Sequence, residues 1–347
     1  MRPPPVLIRR AVIDPLWLPA AAVLMVLLAV VAALAGLAWP LTRRGRLLRV
    51  TLFAMLYLLA DACLLVGAAI IWLRWPAAAR RDDERWNGAH ARLLSRALAL
   101  LLASARPLFG FRVELEEPPD TSQLPDRPLL VLARHGGPGD SFTLVELLLT
   151  RYGRQPRIVM KESLQWDPGL DVVLSRLRCC FLPSRTGAGE DLPGRLAEVA
   201  RDLRGSDAML VFPEGGNWTP RRHRRAIARL RRSGHRRAAA DADRNPHVLP
   251  PRPAGVLACL AARPDLDVVV VAHTGLDDLV SPAQIWRAIP LTDRPMTVRW
   301  WHEPAAALPA DPADLLQWLQ VQWTIVDSWI GARKARACPP SPDQEIS

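Results

Sequence analysis

Lysine is nearly missing from this chain of 347 residues. Of 45 basic side chains only Lys161 and Lys334 are lysines, and arginine carries the net charge of +11. Such a balance suits anionic lipid or phosphate partners. Nucleic acid fits by charge alone, but no aromatic ladder or finger spacing accompanies the arginines, so no nucleic-acid partner is expected. The five cysteines (Cys63, Cys179, Cys180, Cys259, Cys338) form no CxxC pattern, and their odd number and scatter favour reduced thiols. No His/Cys cluster has zinc spacing, so no metal is expected. The chain lacks a G-x-x-x-x-G-K-[ST] phosphate loop and a G-x-S-x-G nucleophile elbow. It has no internal repeats.

Charge is absent for 23 residues from Trp17 to Trp39, and the 24 residues from Val50 to Leu73 carry only Asp61. Either run is long enough for a hydrocarbon core of ~30 Å. The expectation is an N-terminal hydrophobic two-helix hairpin over residues 1–76. A cleaved signal peptide fits less well, because the first run is long and a second follows closely. A buried helix pair in a soluble core is the competing reading, although few such helices stay uncharged for so long. Asp61 costs ~3 kcal/mol in lipid, and is expected to face the neighbouring helix as a packing feature. Arginines flank both runs with little asymmetry. A hairpin dipping into one leaflet therefore fits as well as two full crossings.

The second stretch, residues 77–117, reads as an amphipathic helix from Trp86 to Phe109 and a lead-in strand. The helix suits either a membrane surface or the flank of the main domain. Beyond the turn-rich segment Pro118–Pro128, short apolar strands alternate with helices. Strands are expected at Leu129–Ala133, Arg157–Met160, Cys179–Leu182, Ala208–Phe212, Asp267–Ala272 and Met296–Trp301. Helices are expected at Phe142–Thr150, Asp171–Leu177, Leu192–Arg204 and Pro253–Ala262. The fold class is α/β, a mostly parallel central sheet flanked by helices, with sites beyond the carboxyl ends of the strands. Arg221 to Arg237 reads as one basic helix, and Asp314 to Ile330 as an amphipathic helix for core packing or interfacial anchoring. The α/β domain spans 118–335, and the proline-rich tail 336–347 is expected to be disordered.

Two blocks carry chemistry. Arg134-His135-Gly136-Gly137-Pro138-Gly139-Asp140 sets a histidine five residues ahead of an aspartate across a glycine-rich strand-to-helix turn. A histidine base needs its second ring nitrogen held by an acceptor, and Asp140 suits that role. The amides of Gly136 and Gly137 suit a phosphate or a developing oxyanion. His273 and Asp278 repeat the spacing at another strand end, with Gly275 as the only glycine between them. The second block, Phe212-Pro213-Glu214-Gly215, is a strand, a proline stop and a tight acidic turn. Glu214 there either fixes the loop or binds a substrate hydroxyl. A hydrolase built on Ser141 is the natural competitor, and a catalytically silent scaffold for anionic lipid is another.

Four blocks in order resemble the glycerolipid acyltransferase family that includes the 1-acylglycerol-3-phosphate acyltransferases. They are His135/Asp140, the stretch from Lys161 to Arg185, Phe212 to Gly215, and Pro251-Arg252-Pro253-Ala254-Gly255 as a P-R-x-x-G block. The resemblance implies a glycerol-3-phosphate acyltransferase-like fold and transfer of an acyl group from acyl-CoA or acyl-carrier protein to a lysophospholipid hydroxyl. The expected acceptor is 1-acylglycerol-3-phosphate, with a lyso form of another anionic phospholipid as the alternative. It implies His135 as base, Arg185 as phosphate ligand with help from Lys161, and Glu214, Gly215 and Arg252 at the acceptor site. No cofactor is implied beyond the thioester co-substrate. Membrane lipids are the expected surroundings, at the cell membrane with the catalytic domain on the cytoplasmic side. Two positions depart from the family pattern: Arg134 stands where asparagine is typical, and Gly216-Asn217-Trp218-Thr219 follows the third block where threonine-arginine-serine is common.

Overall fold

The computed structural model describes residues 3–39, 45–76, 84–117, 127–137, 139–183, 191–277, 279–292 and 294–337. Arg185, Asp278, the linker 118–126 and the tail from 338 lie outside them. The chain begins with α1 (Val6–Leu37) and α2 (Arg46–Arg74), both long and apolar enough to cross a membrane. Then follow α3 (Glu84–Phe109), β1 (Val113–Glu116), β2 (Leu129–Ala133), α4 (Asp140–Thr150), β3 (Gln155–Lys161), α5 (Pro168–Arg176) and β4 (Cys180–Leu182). After these come α6 (Leu192–Arg201), β5 (Asp207–Val211), α7 (Pro220–Arg232), α8 (Arg236–Arg244) and α9 (Pro253–Ala262). The chain closes with β6 (Asp267–Thr274), α10 (Pro282–Ala288), β7 (Met296–Glu303) and α11 (Pro312–Ala337).

The strands form one sheet in the order β1-β7-β6-β2-β5-β3-β4. All neighbours are parallel except β6 and β7. Strands β2, β5 and β6 are apolar runs buried at every position, as a sheet covered on both faces requires. Their side chains alternate between two cores. Leu129, Val131, Ala208, Leu210, Val269 and Val271 face α3, α4 and α5. Leu130, Leu132, Met209, Val268 and Val270 face α6, α9 and α11. Strand β1, placed by the sequence in a separate lead-in segment, is the edge of this sheet, with Val113 paired to Met296.

The sheet divides at β3. Residues 155–158 pair with β5, whereas Val159 to Lys161 pair with β4 instead. Beyond Ile158 and Leu210 the two strands therefore part, and a cleft opens at their carboxyl ends.

The N-terminal helices are tied to the domain by polar contacts. Arg9 and Arg10 both bond Asp171 of α5, at 2.9 and 2.8 Å. Asp61 faces the neighbouring helix as expected, and also the domain: its carboxylate accepts from the Trp17 indole at 2.5 Å and from the Gly169 amide at 2.9 Å. Helix α2 lies along the domain for most of its length. Arg46 bonds the Ile289 carbonyl, Arg49 the Leu108 carbonyl, and Arg176 the Ala68 carbonyl. Helix α1, by contrast, exposes Val23, Val26, Leu27, Val30 and Leu34.

Three expectations are resolved by packing. Helix α3 buries Trp86, His90, Leu94 and Leu98 against the domain. On α11 the stripe Leu315, Leu319, Trp323, Val326, Trp329 and Ile330 is buried in the core, so core packing holds. The expected single basic helix from Arg221 to Arg237 is two helices, because Gly234 adopts a left-handed conformation (φ 79°) that ends α7.

Asp61 is the clearest test of the tie between the apolar helices and the domain. Asp61→Ala strands the Gly169 amide and the Trp17 indole, each at a cost of roughly 1–3 kcal/mol. A Cβ at Gly169 would lie 2.2 Å from the Asp61 carboxylate and 2.4 Å from its carbonyl oxygen. Both Asp61→Ala and Gly169→Ala are expected to lower the thermal unfolding midpoint of detergent-solubilised protein by several degrees, with the dyad residues untouched.

Candidate active site

The carboxyl ends of β2, β5 and β3 deliver His135, Phe212 to Gly215, and Lys161 to one cleft. His135 stands two residues beyond the end of β2. Its Nδ1 lies 2.7 Å from Asp140 Oδ2. A carboxylate accepts, so Nδ1 carries the proton and Nε2 is left with a lone pair. The ring packs against Phe212 at a centroid distance of 4.7 Å. Its backbone carbonyl accepts from the Trp218 amide at 2.6 Å.

Asp140 opens α4, and Gly139 before it is left-handed (φ 80°), which returns the chain beneath the histidine. The amides of Gly136 and Gly137 donate to Asp140 Oδ2 at 2.9 and 3.2 Å. This corrects the role expected of them: they hold the turn and the aspartate, and are not free for an oxyanion. The Ser141 amide and hydroxyl donate to the other oxygen at 2.6 and 3.1 Å. Ser141 thus serves the aspartate, an arrangement unlike that of a nucleophile paired with the histidine. Burial alone would raise the Asp140 pKa, but the bond to His135, the nearby His273 and the Gly137 amide outweigh it and hold the group at about 2.

The cleft is a cavity of about 610 Å³. His135, Gly137, Asp140, Lys161, Gly215 and Arg252 all line it, which assembles six of the expected site residues. Below the histidine it runs between Leu94, Leu98, Ile158, Leu170 and Leu174, an apolar pocket reached through the split in the sheet. Gly215 adopts φ 69°, and a Cβ there would come within 2.9 Å of the Arg252 guanidinium, so the position requires glycine twice over. The Arg252 amide donates to the Pro213 carbonyl at 2.9 Å, joining the third and fourth blocks.

Glu214 departs from its expected place. Its side chain points away from the cavity into the interior and is 2 % exposed. Neither carboxyl oxygen makes a hydrogen bond among the described residues; the Leu249 amide and Trp323 indole approach without reaching bonding geometry. Burial pushes its pKa up to about 8 despite the charge of nearby Arg134. Glu214 therefore belongs to the loop and its support, and touches no acceptor.

Sequence reasoning missed the layer beneath the dyad. His273 is buried on β6 beside β2, with Nε2 3.0 Å from the Arg134 carbonyl and 3.6 Å from Asp140 Oδ2. Arg134 is fully buried: its guanidinium pairs with Asp277 and donates to the carbonyls of His273 and His247 at 2.8 and 2.9 Å. The one available signal was the repeated spacing at His273. The pairing of Ala133 with Val271 sets that strand end beside the first.

These features coincide with a known family. Residues 112–252 match the family model described as Acyltransferase, and that stretch is an acyltransferase domain. The fold is also that of the crystal structure of the 1-acyl-sn-glycerophosphate (LPA) acyltransferase PlsC from Thermotoga maritima. The two share 15 % identity with a TM-score of 0.52, over 83 % of this chain and 98 % of that one. No curated protein matches the chain.

The Glu214 shift has a signed consequence. A carboxyl group whose folded pKa is raised stabilises the fold relative to its ionised form at low pH, and that stability is lost as pH rises. The window runs from the ordinary glutamate value of 4.5 to about 8. Glu214→Gln, which cannot ionise, is expected to remove a slope of up to ~1.4 kcal/mol per pH unit. Denaturant unfolding at pH 5 and pH 8 measures it: the variant should gain on the wild type as pH rises.

Proposed function

We propose that this acyltransferase moves a fatty acyl group from an acyl thioester to the free hydroxyl of a lysophospholipid, 1-acylglycerol-3-phosphate, in phospholipid biosynthesis. The observation that carries the proposal is the His135–Asp140 pair at the mouth of an apolar cavity whose rim holds Lys161 and Arg252. In this reading His135 Nε2 takes the proton of the acceptor hydroxyl as its oxygen attacks the thioester carbonyl. A C–O bond forms, the C–S bond breaks, and the proton passes to the departing thiolate. Asp140 keeps the ring in the required tautomer and stabilises the imidazolium that forms. The apolar pocket under His135 suits an acyl chain, and the cationic rim suits the acceptor phosphate, with Arg185 assigned there by the family pattern. No metal or bound cofactor is called for, because a thiolate leaves readily.

The bare apolar surface of α1 and the docking of α2 along the domain favour a hairpin that enters one leaflet and holds the cleft at the membrane surface. The catalytic domain then lies on the cytoplasmic side of the cell membrane.

The test is thioester-dependent esterification by membranes carrying the protein, with a panel of lysolipid acceptors. His135→Ala is expected to lose ~10²–10⁴-fold in rate, the usual contribution of a positioned base. His273→Ala, which removes a neighbour of Asp140 and no reacting group, should lose much less. Full activity in His135→Ala sinks the proposal. Free-acid release without acceptor that Ser141→Ala abolishes would instead make the protein a hydrolase.

A further inference from the structure

Between the third and fourth blocks the chain inserts the helical hairpin α7–α8. It holds ten arginines against two aspartates, most of the net +11 of the whole protein. Some of these charges are spoken for: Arg231 pairs with Asp243, Arg244 with Asp241, and Arg222 bonds the Asn217 carbonyl. Arg229 and Arg237 meet no acceptor among the described residues. They line a second cavity of about 620 Å³ between the hairpin and α11, floored by Pro250, Pro251 and the exposed Val321 and Ile325. Arg252 lines this cavity and the catalytic one, so the two adjoin at a single guanidinium. Burial depresses the Arg252 pKa and the like charge of Arg229 adds to it. Asp241 also lines it but is paired with Arg244, so Arg229, Arg237 and Arg252 leave an excess of positive charge around a concave apolar floor, which suits an anion with a flat apolar part.

We infer that this second cavity binds the phosphorylated nucleotide of the acyl donor, so that the donor is a coenzyme A thioester. The inference rests on the acyl-transfer reading above and specifies its donor. Its size fits a nucleotide and is too small for a folded carrier protein. It lies with the α6, α9 and α11 face of the sheet, opposite the face that α1 and α2 cover, which disfavours a lipid headgroup as its occupant. The thioester end then reaches His135 past Arg252.

The experiment uses the full-length protein in detergent, with calorimetric titration of coenzyme A and of pantetheine, and the double variant Arg229→Gln/Arg237→Gln, whose thermal unfolding is checked against wild type. Coenzyme A should bind wild type and lose at least tenfold in affinity in the variant, while pantetheine binds far more weakly to both. In turnover, KM for acyl-CoA should rise in the variant with kcat unchanged, and KM for acyl-pantetheine should not move. Equal coenzyme A binding by both proteins overturns the inference, as does equal binding of pantetheine and coenzyme A. Turnover from acyl-carrier protein but not from acyl-CoA overturns it too, and so does a variant defect confined to lysolipid vesicles. Arginine-dependent coenzyme A binding with no transfer to any acceptor would uphold the nucleotide site and defeat the acyl-transfer reading.

Discussion

The buried carboxylate of Asp140 is the constraint around which the site is built. Five donors converge on it: the His135 ring, the amides of Gly136, Gly137 and Ser141, and the Ser141 hydroxyl. A carboxylate at 1 % exposure is costly unless its lone pairs are filled, and filling them bends the turn into one shape. The shape in turn delivers His135 with Nδ1 protonated and Nε2 free. Tautomer and loop geometry are thus consequences of one interaction. The two glycine amides explain why glycine clusters here: the chain must bring successive N–H groups onto one oxygen, and side chains at these positions would collide. A Cβ at Gly137 would lie 2.7 Å from the Leu276 carbonyl.

A base alone does not make an acyl-transfer site; it needs an apolar space beside it that stays open in a close-packed protein. The sheet supplies that space by changing partners. Strand β3 leaves β5 for β4 after Ile158, and the resulting fork is filled by neither strand. Leucines of α3 and α5 line it from one core. Helix α5 is also the element that Arg9, Arg10 and Asp61 grip. The wall of the cavity and the seat of the apolar helices are therefore the same helix, so the N-terminal helices and the apolar pocket share a mechanical connection.

Much of this was legible in the sequence, for physical reasons that can be named. The consecutive valines of Asp267–Thr274 and the leucines of Leu129–Ala133 announce strands covered on both faces, and Pro253–Ala262 forms over the expected residues. The His135–Asp140 pair was readable because turn and following helix lie within a few residues. What spacing does not encode is direction across the chain. The Gly136 and Gly137 amides were visible, but not that Asp140 would occupy them. Glu214 was placed at the site by its neighbours, although a residue on the far side of a tight turn faces the interior. The partnership of His273 with Asp140 depends on β6 lying beside β2, a pairing that spans more than a hundred residues.

Alternation along the chain accounts for the arginine before His135. Successive residues at a strand end point to opposite sides, so with His135 in the cavity Arg134 must enter the core beneath α11. It does so fully buried, and the cost of burying a guanidinium is met by Asp277 and two carbonyls. The departure from asparagine therefore does not touch the cavity wall. It changes the ground beneath the dyad: the Arg134 carbonyl holds His273, and the Arg134 charge opposes the burial that keeps Glu214 protonated. A neutral Glu214 next to a paired arginine adds no second uncompensated charge to the interior. An ionised Glu214 would add a third buried carboxylate to Asp140 and Asp277, with Arg134 and Lys334 as the nearby cations, and would repel the carboxylate on which the turn depends. The neutral state of the third block thus favours the ionised state of the first.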